Sequence, residues 1–152
     1  MSVRSYALCP VSDKKINENV ARINGGFTAI LMIIAVLAHS VIPVVFLAFD
    51  FYLRSSQFSG YSLVAITSRN IVRYLGINEN IINAGPKIFA ARIGFIFSVL
   101  IVISFIFNSG LSISLLSSIL ILFSVLESVF GFCVACEIYP YVYHLFYKEK
   151  IH

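Results

Sequence analysis

Two stretches of this chain carry no Asp, Glu, Lys or Arg at all: residues 23–49 and residues 93–126. A bilayer core about 30 Å thick is crossed by about 20 helical residues. The second stretch, continued through its apolar residues to Cys136, is too long for one crossing and must turn. Asn108-Ser109-Gly110 is the only polar, turn-forming cluster inside it. That predicts helices over residues 88–107 and 111–137.

The first stretch has 27 residues, enough for one tilted span or, extended into its flanks, two short ones. Charge decides between them. Arg4, Lys14, Lys15 and Arg22 precede it, and Arg54, Arg69, Arg73, Lys87 and Arg92 follow it. A single span would put these basic segments on opposite sides, against the positive-inside rule. A hairpin turning at His39-Ser40, with Pro43 near the start of the returning helix, puts both inside. The second hairpin then returns Lys148 and Lys150 to the same side, so all eleven basic residues face the cytoplasm.

Composition agrees with this geography. Fifty-nine per cent of the residues are apolar and 12 per cent charged, against about 25 per cent charged in soluble domains. The net charge of +4 is dispersed over short segments. It forms no stripe of the kind that tracks phosphates, so nucleic acid is not an expected partner. The lipid bilayer is. Residues 1–22 are polar and end in charge, with no short apolar core before a small-residue cleavage site, so the first apolar segment is expected to stay as an anchor.

The fold expected is an all-α integral membrane domain, a four-helix transmembrane bundle built from two hairpins. Its parts are a cytoplasmic N-terminal segment (1–22), hairpin one (23–54), a connector (55–87), hairpin two (88–137) and an interfacial tail (138–152). Within the connector, residues 62–75 form a short interfacial helix with Leu63, Ile66, Ile71 and Leu75 as its apolar positions and Gly76 as its stop. The tail is amphipathic, with Ile138, Val142, Leu145 and Phe146 on one side, and Pro140 breaks it. Its tyrosines suit the headgroup layer. An internal echo accompanies the two hairpins: Ile16-Asn17-Glu18-Asn19 recurs as Ile77-Asn78-Glu79-Asn80, and Ala21-Arg22-Ile23 as Ala91-Arg92-Ile93. A homo-oligomer is open, although no strong small-xxx-small stripe specifies one.

Two acidic residues lie within the membrane boundary. Asp50 precedes Arg54 by one helical turn, the spacing of an ion pair that anchors a helix end. Glu127 falls two to three turns inside the last expected span, where an ionised carboxylate is costly unless paired. Arg22, Arg92 and the serines of the fourth span are its candidate partners. Its helical position sets it on a different face from Cys133 and Cys136.

The three cysteines, Cys9, Cys133 and Cys136, are all expected on the cytoplasmic side, where thiols stay reduced. Cys133 and Cys136 form a C-x-x-C at the end of the last span. A helix C-terminus carries partial negative charge and disfavours a thiolate. Nearby cations would offset that, or a helix restarted after Gly131. Three thiolates are also a set for a soft metal such as copper(I) or zinc. A lone C-x-x-C is a weak metal signal, and no metal or cofactor is assigned. Cysteine as a small packing residue accounts equally well for the spacing.

The chain also resembles a known family. Cys9-Pro10-Val11-Ser12, Asn17-Glu18-Asn19-Val20-Ala21-Arg22, Asp50-Phe51-Tyr52-Leu53-Arg54, Gly85-Pro86-Lys87, Phe89-Ala90-Ala91-Arg92-Ile93-Gly94, and Phe130-Gly131-Phe132-Cys133 with Cys136 are similar, in order, to a bacterial family of small four-span membrane proteins, domain of unknown function 4395. The resemblance covers the chain from Cys9 to Tyr139 and departs at Ala135, where relatives carry glycine. It implies a four-helix membrane domain in the bacterial inner membrane with both termini cytoplasmic, and joint use of the three thiols. It also implies the company of a rhodanese-like or thioredoxin-like protein.

The function expected is thiol-based redox or sulfur handling. Cys133 and Cys136 form the site, Cys9 exchanges with them, and Arg22, Arg54 and Arg92 hold thiolate or an anionic sulfur compound. The alternatives are a soft-metal or small-solute transport module with Glu127 in its path, and a non-catalytic membrane scaffold.

Overall fold

The structure, a computed structural model, describes residues 15–56 and 58–148. Cys9 therefore lies outside the described residues, as do Arg4, Lys14 and Lys150. Among the described residues six α-helices follow one another: α1 (Glu18–Leu37), α2 (Ile42–Ser55), α3 (Leu63–Tyr74), α4 (Ala84–Ile106), α5 (Gly110–Phe130) and α6 (Val134–Lys148), with a single 3-10 turn at Ser59–Tyr61 before α3. Two three-residue strands, β1 (Lys15–Asn17) and β2 (Ile81–Asn83), pair antiparallel with Ile16 opposite Ile82. The ribbon was not expected from the sequence.

Each strand feeds a helix through the same device. Asn17 caps α1 by accepting the Asn19 N–H at 3.0 Å, and Asn83 caps α4 by accepting the Gly85 N–H at 3.0 Å. Asparagine is favoured there because its short carbonyl satisfies donors that the first helical turn leaves unpaired. The ribbon thus holds the N-termini of α1 and α4 side by side. At the opposite end α1 stops at Leu37 and α2 starts at Ile42, while α4 stops at Ile106 and α5 starts at Gly110. His39 (φ 46°) and Asn108 (φ 54°) take the left-handed conformation that closes a helix end. The breaks fall on the His39-Ser40 and Asn108-Ser109-Gly110 clusters.

α1 packs most extensively on α5, and α2 on α4, with α4 against α5 and α1 against α2 closing the ring. Exchanging α1 with α4 and α2 with α5 leaves this pattern unchanged. Glycine permits both main contacts: a Cβ on Gly25 would stand 2.9 Å from the Ser124 carbonyl oxygen of α5, and one on Gly94 would stand 2.8 Å from the Phe51 ring of α2. Gly25 and Gly94 lie near the echoed Ala-Arg-Ile segments, so the echo has a structural counterpart here. The Ile77-Asn78 half of it does not, because the capping asparagine that matches Asn17 is Asn83.

The centre of the ring is apolar, built on Met32, Ala35, Val44, Leu47, Phe51, Ala91, Ile101 and Leu120. Between the helices lie small polar residues, with Ser98, Ser104, Ser117 and Ser124 all buried. Ser98 and Ser104 donate to carbonyls one turn back on α4, which satisfies their hydroxyls without water. Large apolar residues such as Ile30, Leu37, Ile96, Leu111 and Leu122 face outward. Small residues inside and large apolar ones outside is the packing expected where lipid is the solvent. α1, α4 and α5 are each long and apolar enough to cross a membrane. α2, with 14 residues, is shorter than a straight crossing requires, at about 1.5 Å per residue.

α3 packs on α1 through Val64, Ala65, Ser68 and Val72. Leu63, Ile66 and Leu75 are exposed, which suits the apolar face of an interfacial helix, while a second face of smaller residues is set against α1. Close approach of two helices selects small residues, and the long ones are left for the surroundings. Gly76 (φ 61°) ends α3 as expected.

Candidate functional site

The expected helix over residues 111–137 is broken. α5 ends at Gly131, whose φ of 66° is one that L-residues other than glycine rarely adopt, and the chain restarts as α6 at Val134. Cys133 therefore sits before the N-terminus of a helix, not at the C-terminus of one. Its carbonyl accepts the N–H groups of Cys136 at 3.0 Å and Glu137 at 3.2 Å. Its Sγ accepts the Cys136 N–H at 3.3 Å. The sulfur occupies the place of a capping oxygen, where the helix dipole favours negative charge.

Both thiols are half-buried and unbridged. A hydrogen bond from the Cys136 thiol holds the Cys133 thiol below its ordinary range, assisted by the Lys87 ammonium and the Cys136 N–H and opposed by burial and the Glu127 carboxylate. The Cys136 thiol is pushed up, first by that same hydrogen bond, then by burial and by the charge on Cys133. The two thiols are thus driven in opposite directions, Cys133 down and Cys136 up. α6 also runs through Pro140, which does not break it but removes the N–H that would have met the Cys136 carbonyl.

Glu127 lies in the last turn of α5, nearer the helix end than expected because α5 stops at Phe130. Its partner is neither Arg22, Arg92 nor a serine: Lys87 Nζ donates to Glu127 Oε1 at 2.6 Å. The break at Gly131 also brings the C-x-x-C back towards Glu127, so that both Lys87 and Glu127 act electrostatically on both thiols. Lys87 was not among the residues expected at the site. Its place one turn into α4, after Gly85-Pro86, was the available signal.

Arg22 serves the break itself. Its Nη2 donates to the Val129 carbonyl at 2.8 Å, in the last turn of α5. A Cβ on Gly131 would meet Glu18 Oε1 at 3.2 Å and Arg22 Nε at 3.4 Å. Arg92 is exposed on α4 and reaches neither the C-x-x-C nor the neighbouring cavity. The cation whose charge acts on both thiols is Lys87 rather than one of the three expected arginines.

Asp50 and Arg54 do meet, with Arg54 Nε 3.1 Å from Asp50 Oδ2. The contact is a charge pair without hydrogen-bond alignment, since both atoms lack an aligned partner. The aspartate does more than anchor a helix end. Its Oδ1 accepts from Ser62 Oγ at 2.6 Å and from the Val64 N–H at 3.3 Å, tying α2 to the start of α3. Asn24, buried on α1, completes the group. With its amide turned as its neighbours require, its nitrogen donates to Ser68 Oγ at 2.6 Å and its oxygen accepts from Arg54 Nη1 at 3.2 Å.

Between this network and the Lys87–Glu127 pair lies a cavity of about 350 Å³. Lys15, Arg54, Arg69, Lys87 and Glu127 are its charged lining, and Val20, Phe51 and Ile88 belong to its apolar lining. Cys133 and Cys136 do not line it; Lys87 and Glu127 connect the two places. Among the described residues no group of three or more His, Cys, Asp or Glu side chains converges on a point where a metal could sit. The third thiol of the soft-metal alternative, Cys9, lies outside them.

Residues 16–144 match the model of a domain of unknown function, DUF4395, and the chain belongs to that family. No curated protein and no solved structure matches it.

Proposed function

We propose that this member of DUF4395 is a thiol–disulfide or sulfur-handling protein of the bacterial inner membrane, with Cys133 as nucleophile and Cys136 as resolving thiol. The observation that carries this reading is the 3.3 Å hydrogen bond from the Cys136 N–H to Cys133 Sγ at the start of α6, with the Lys87 ammonium acting on the same sulfur. The Cys133 thiolate attacks one sulfur of a partner's disulfide and forms a mixed disulfide. The partner's other sulfur leaves as a thiolate and takes up a proton. Cys136 then loses its proton to solvent and attacks Cys133. The Cys133–Cys136 disulfide closes, and the partner is released fully reduced, having gained two electrons. A thioredoxin-like or rhodanese-like protein supplies the partner chemistry, and Cys9 is the third exchanging thiol.

In the same proposal α1, α2, α4 and α5 form four passes in two hairpins, with the short α2 accommodated by local thinning of the bilayer. The end that carries the ribbon, the cavity and the C-x-x-C faces the cytoplasm, with both termini. Basic residues concentrate at that end, which supports the orientation. The test is iodoacetamide labelling of the full chain in native membranes across pH, read by mass spectrometry. Cys133 is expected to label with a midpoint below the ordinary thiol value of about 8.5, and oxidant is expected to mask Cys133 and Cys136 together. Two thiols that label alike under oxidant and reductant would count against the assignment.

A further inference from the structure

The cavity enclosed by α1 to α5 and β1 has features that the thiol reading does not use. Four cations line it, Lys15, Arg54, Arg69 and Lys87, against one lining carboxylate, Glu127, which Lys87 already holds at 2.6 Å. Asp50 balances Arg54 from behind. Four cations thus face two carboxylates, and Lys15 and Arg69 are left without an acidic partner among the described residues.

The guanidinium groups are held in place rather than free. Arg54 keeps only 16% side-chain exposure, stacks over the Phe51 ring at 4.7 Å, pairs in charge with Asp50 and donates from Nη1 to Asn24. Its Nη2 has no protein partner among the described residues. Arg69 Nε donates to the Ala65 carbonyl at 3.2 Å and its Nη2 to the Gly60 carbonyl at 3.4 Å, so its charge is oriented but not neutralised. Such an excess in a partly enclosed space attracts an anion. The remaining wall, including Val20, Phe51 and Ile88, is apolar. A bare inorganic ion would leave that wall unfilled, and 350 Å³ is at the small end of ligand cavities.

We infer that this cavity binds a small organic anion, with its phosphate or carboxylate group between Arg54 and Arg69 and a short apolar body against Val20, Phe51 and Ile88. The anion is either a free metabolite or the headgroup region of an anionic lipid, because both present this chemistry at the membrane surface. The thiols do not line the cavity, so neither is needed to hold the anion.

The full chain in phosphatidylcholine nanodiscs, titrated with hexyl phosphate, tests it. Hexyl phosphate is expected to bind at least tenfold more tightly than hexanol or inorganic phosphate, and Arg69→Gln to weaken it at least fivefold without lowering Tm. Lys15→Gln, at an exposed position, gives a second reading of the charge requirement should R69Q prove unstable. The same titration on a Cys133→Ser/Cys136→Ser chain is expected to be unchanged, which separates this site from the thiol chemistry. In phosphatidylglycerol nanodiscs a lipid occupant shows as retained lipid in native mass spectra, lost in R69Q, and as weakened hexyl phosphate binding. A free anion shows as binding equal in both lipids. Absence of both hexyl phosphate binding and retained lipid, or binding indifferent to R69Q and K15Q alike, overturns the inference.

Discussion

Lys87 Nζ lies 2.6 Å from Glu127 Oε1, joining the first turn of α4 to the last turn of α5, and the two side chains keep only 12% and 22% exposure. The pair is the hinge of the site: it borders the cavity and acts on both thiols.

Removing one partner leaves the other charge half-buried, which costs more than removing both. Lys87→Met and Glu127→Gln are each expected to lower stability, and the double variant to lose less than the sum of the two. A double-mutant cycle from thermal melts in one detergent should give a coupling of about 1–2 kcal/mol. Strict additivity would show that the contact contributes nothing.

The reactivity of Cys133 depends first on Cys136. Replacing Cys136 by Ala removes both the thiol that donates to Cys133 and the residue whose raised pKa mirrors it, and the labelling midpoint of Cys133 is expected to rise towards the ordinary thiol value. Lys87→Met is expected to raise it by less. The sign for stability follows: a thiol whose native pKa is lowered stabilises the fold above its unfolded value, and that contribution is lost as pH falls through the lowered native value. In the reduced wild type Cys136, whose pKa is raised, opposes this at alkaline pH, and Cys136→Ala, by returning Cys133 towards its ordinary value, is expected to flatten both pH dependences of stability.

Gly131→Ala places a Cβ at a left-handed φ of 66°, against Glu18 and Arg22. The strain costs about 1–2 kcal/mol and favours an α5 that continues past residue 131. Cys133 then leaves the start of a helix. A higher labelling midpoint together with a lower Tm is expected; a lower Tm with an unchanged midpoint would detach the break from the chemistry.

Gly25→Ala sets a methyl 2.9 Å from a backbone oxygen of α5, which cannot move aside as a side chain can. Overpacking of this kind costs about 1–3 kcal/mol. Gly60→Ala, with nothing within 4 Å, is the control and should leave Tm unchanged.

Asp50→Ala removes the acceptor for Ser62 and Val64 and leaves Arg54 without its counter-charge. About 3–5 kcal/mol is expected for breaking a buried pair from one side. Early loss of protease protection around α3 is the direct readout, because Ser62 and Val64 begin that helix.

Charge-free runs long enough to cross a bilayer, their interruption at His39-Ser40 and Asn108-Ser109-Gly110, and the meeting of Asp50 with Arg54 were all legible in the amino-acid sequence. Each rests on residues near one another in the chain, where hydropathy, turn propensity and helical spacing act locally. The partner of Glu127 and the cavity were not legible, and the helix restart after Gly131 was legible only as one of two ways to favour a thiolate at Cys133. Lys87 and Glu127 are 40 residues apart, Asn24 reaches Arg54 across two helices, and the cavity is walled by five helices and a strand. Such convergence follows from how closely the helices approach at Gly25 and Gly94, and one left-handed glycine, Gly131, turned the thiols from the negative end of one helix to the positive end of the next. Local composition determined which helices are long and apolar enough to cross a membrane, whereas packing between distant segments decided which charges meet each other, because electrostatic partnership depends on distance in space and not along the chain.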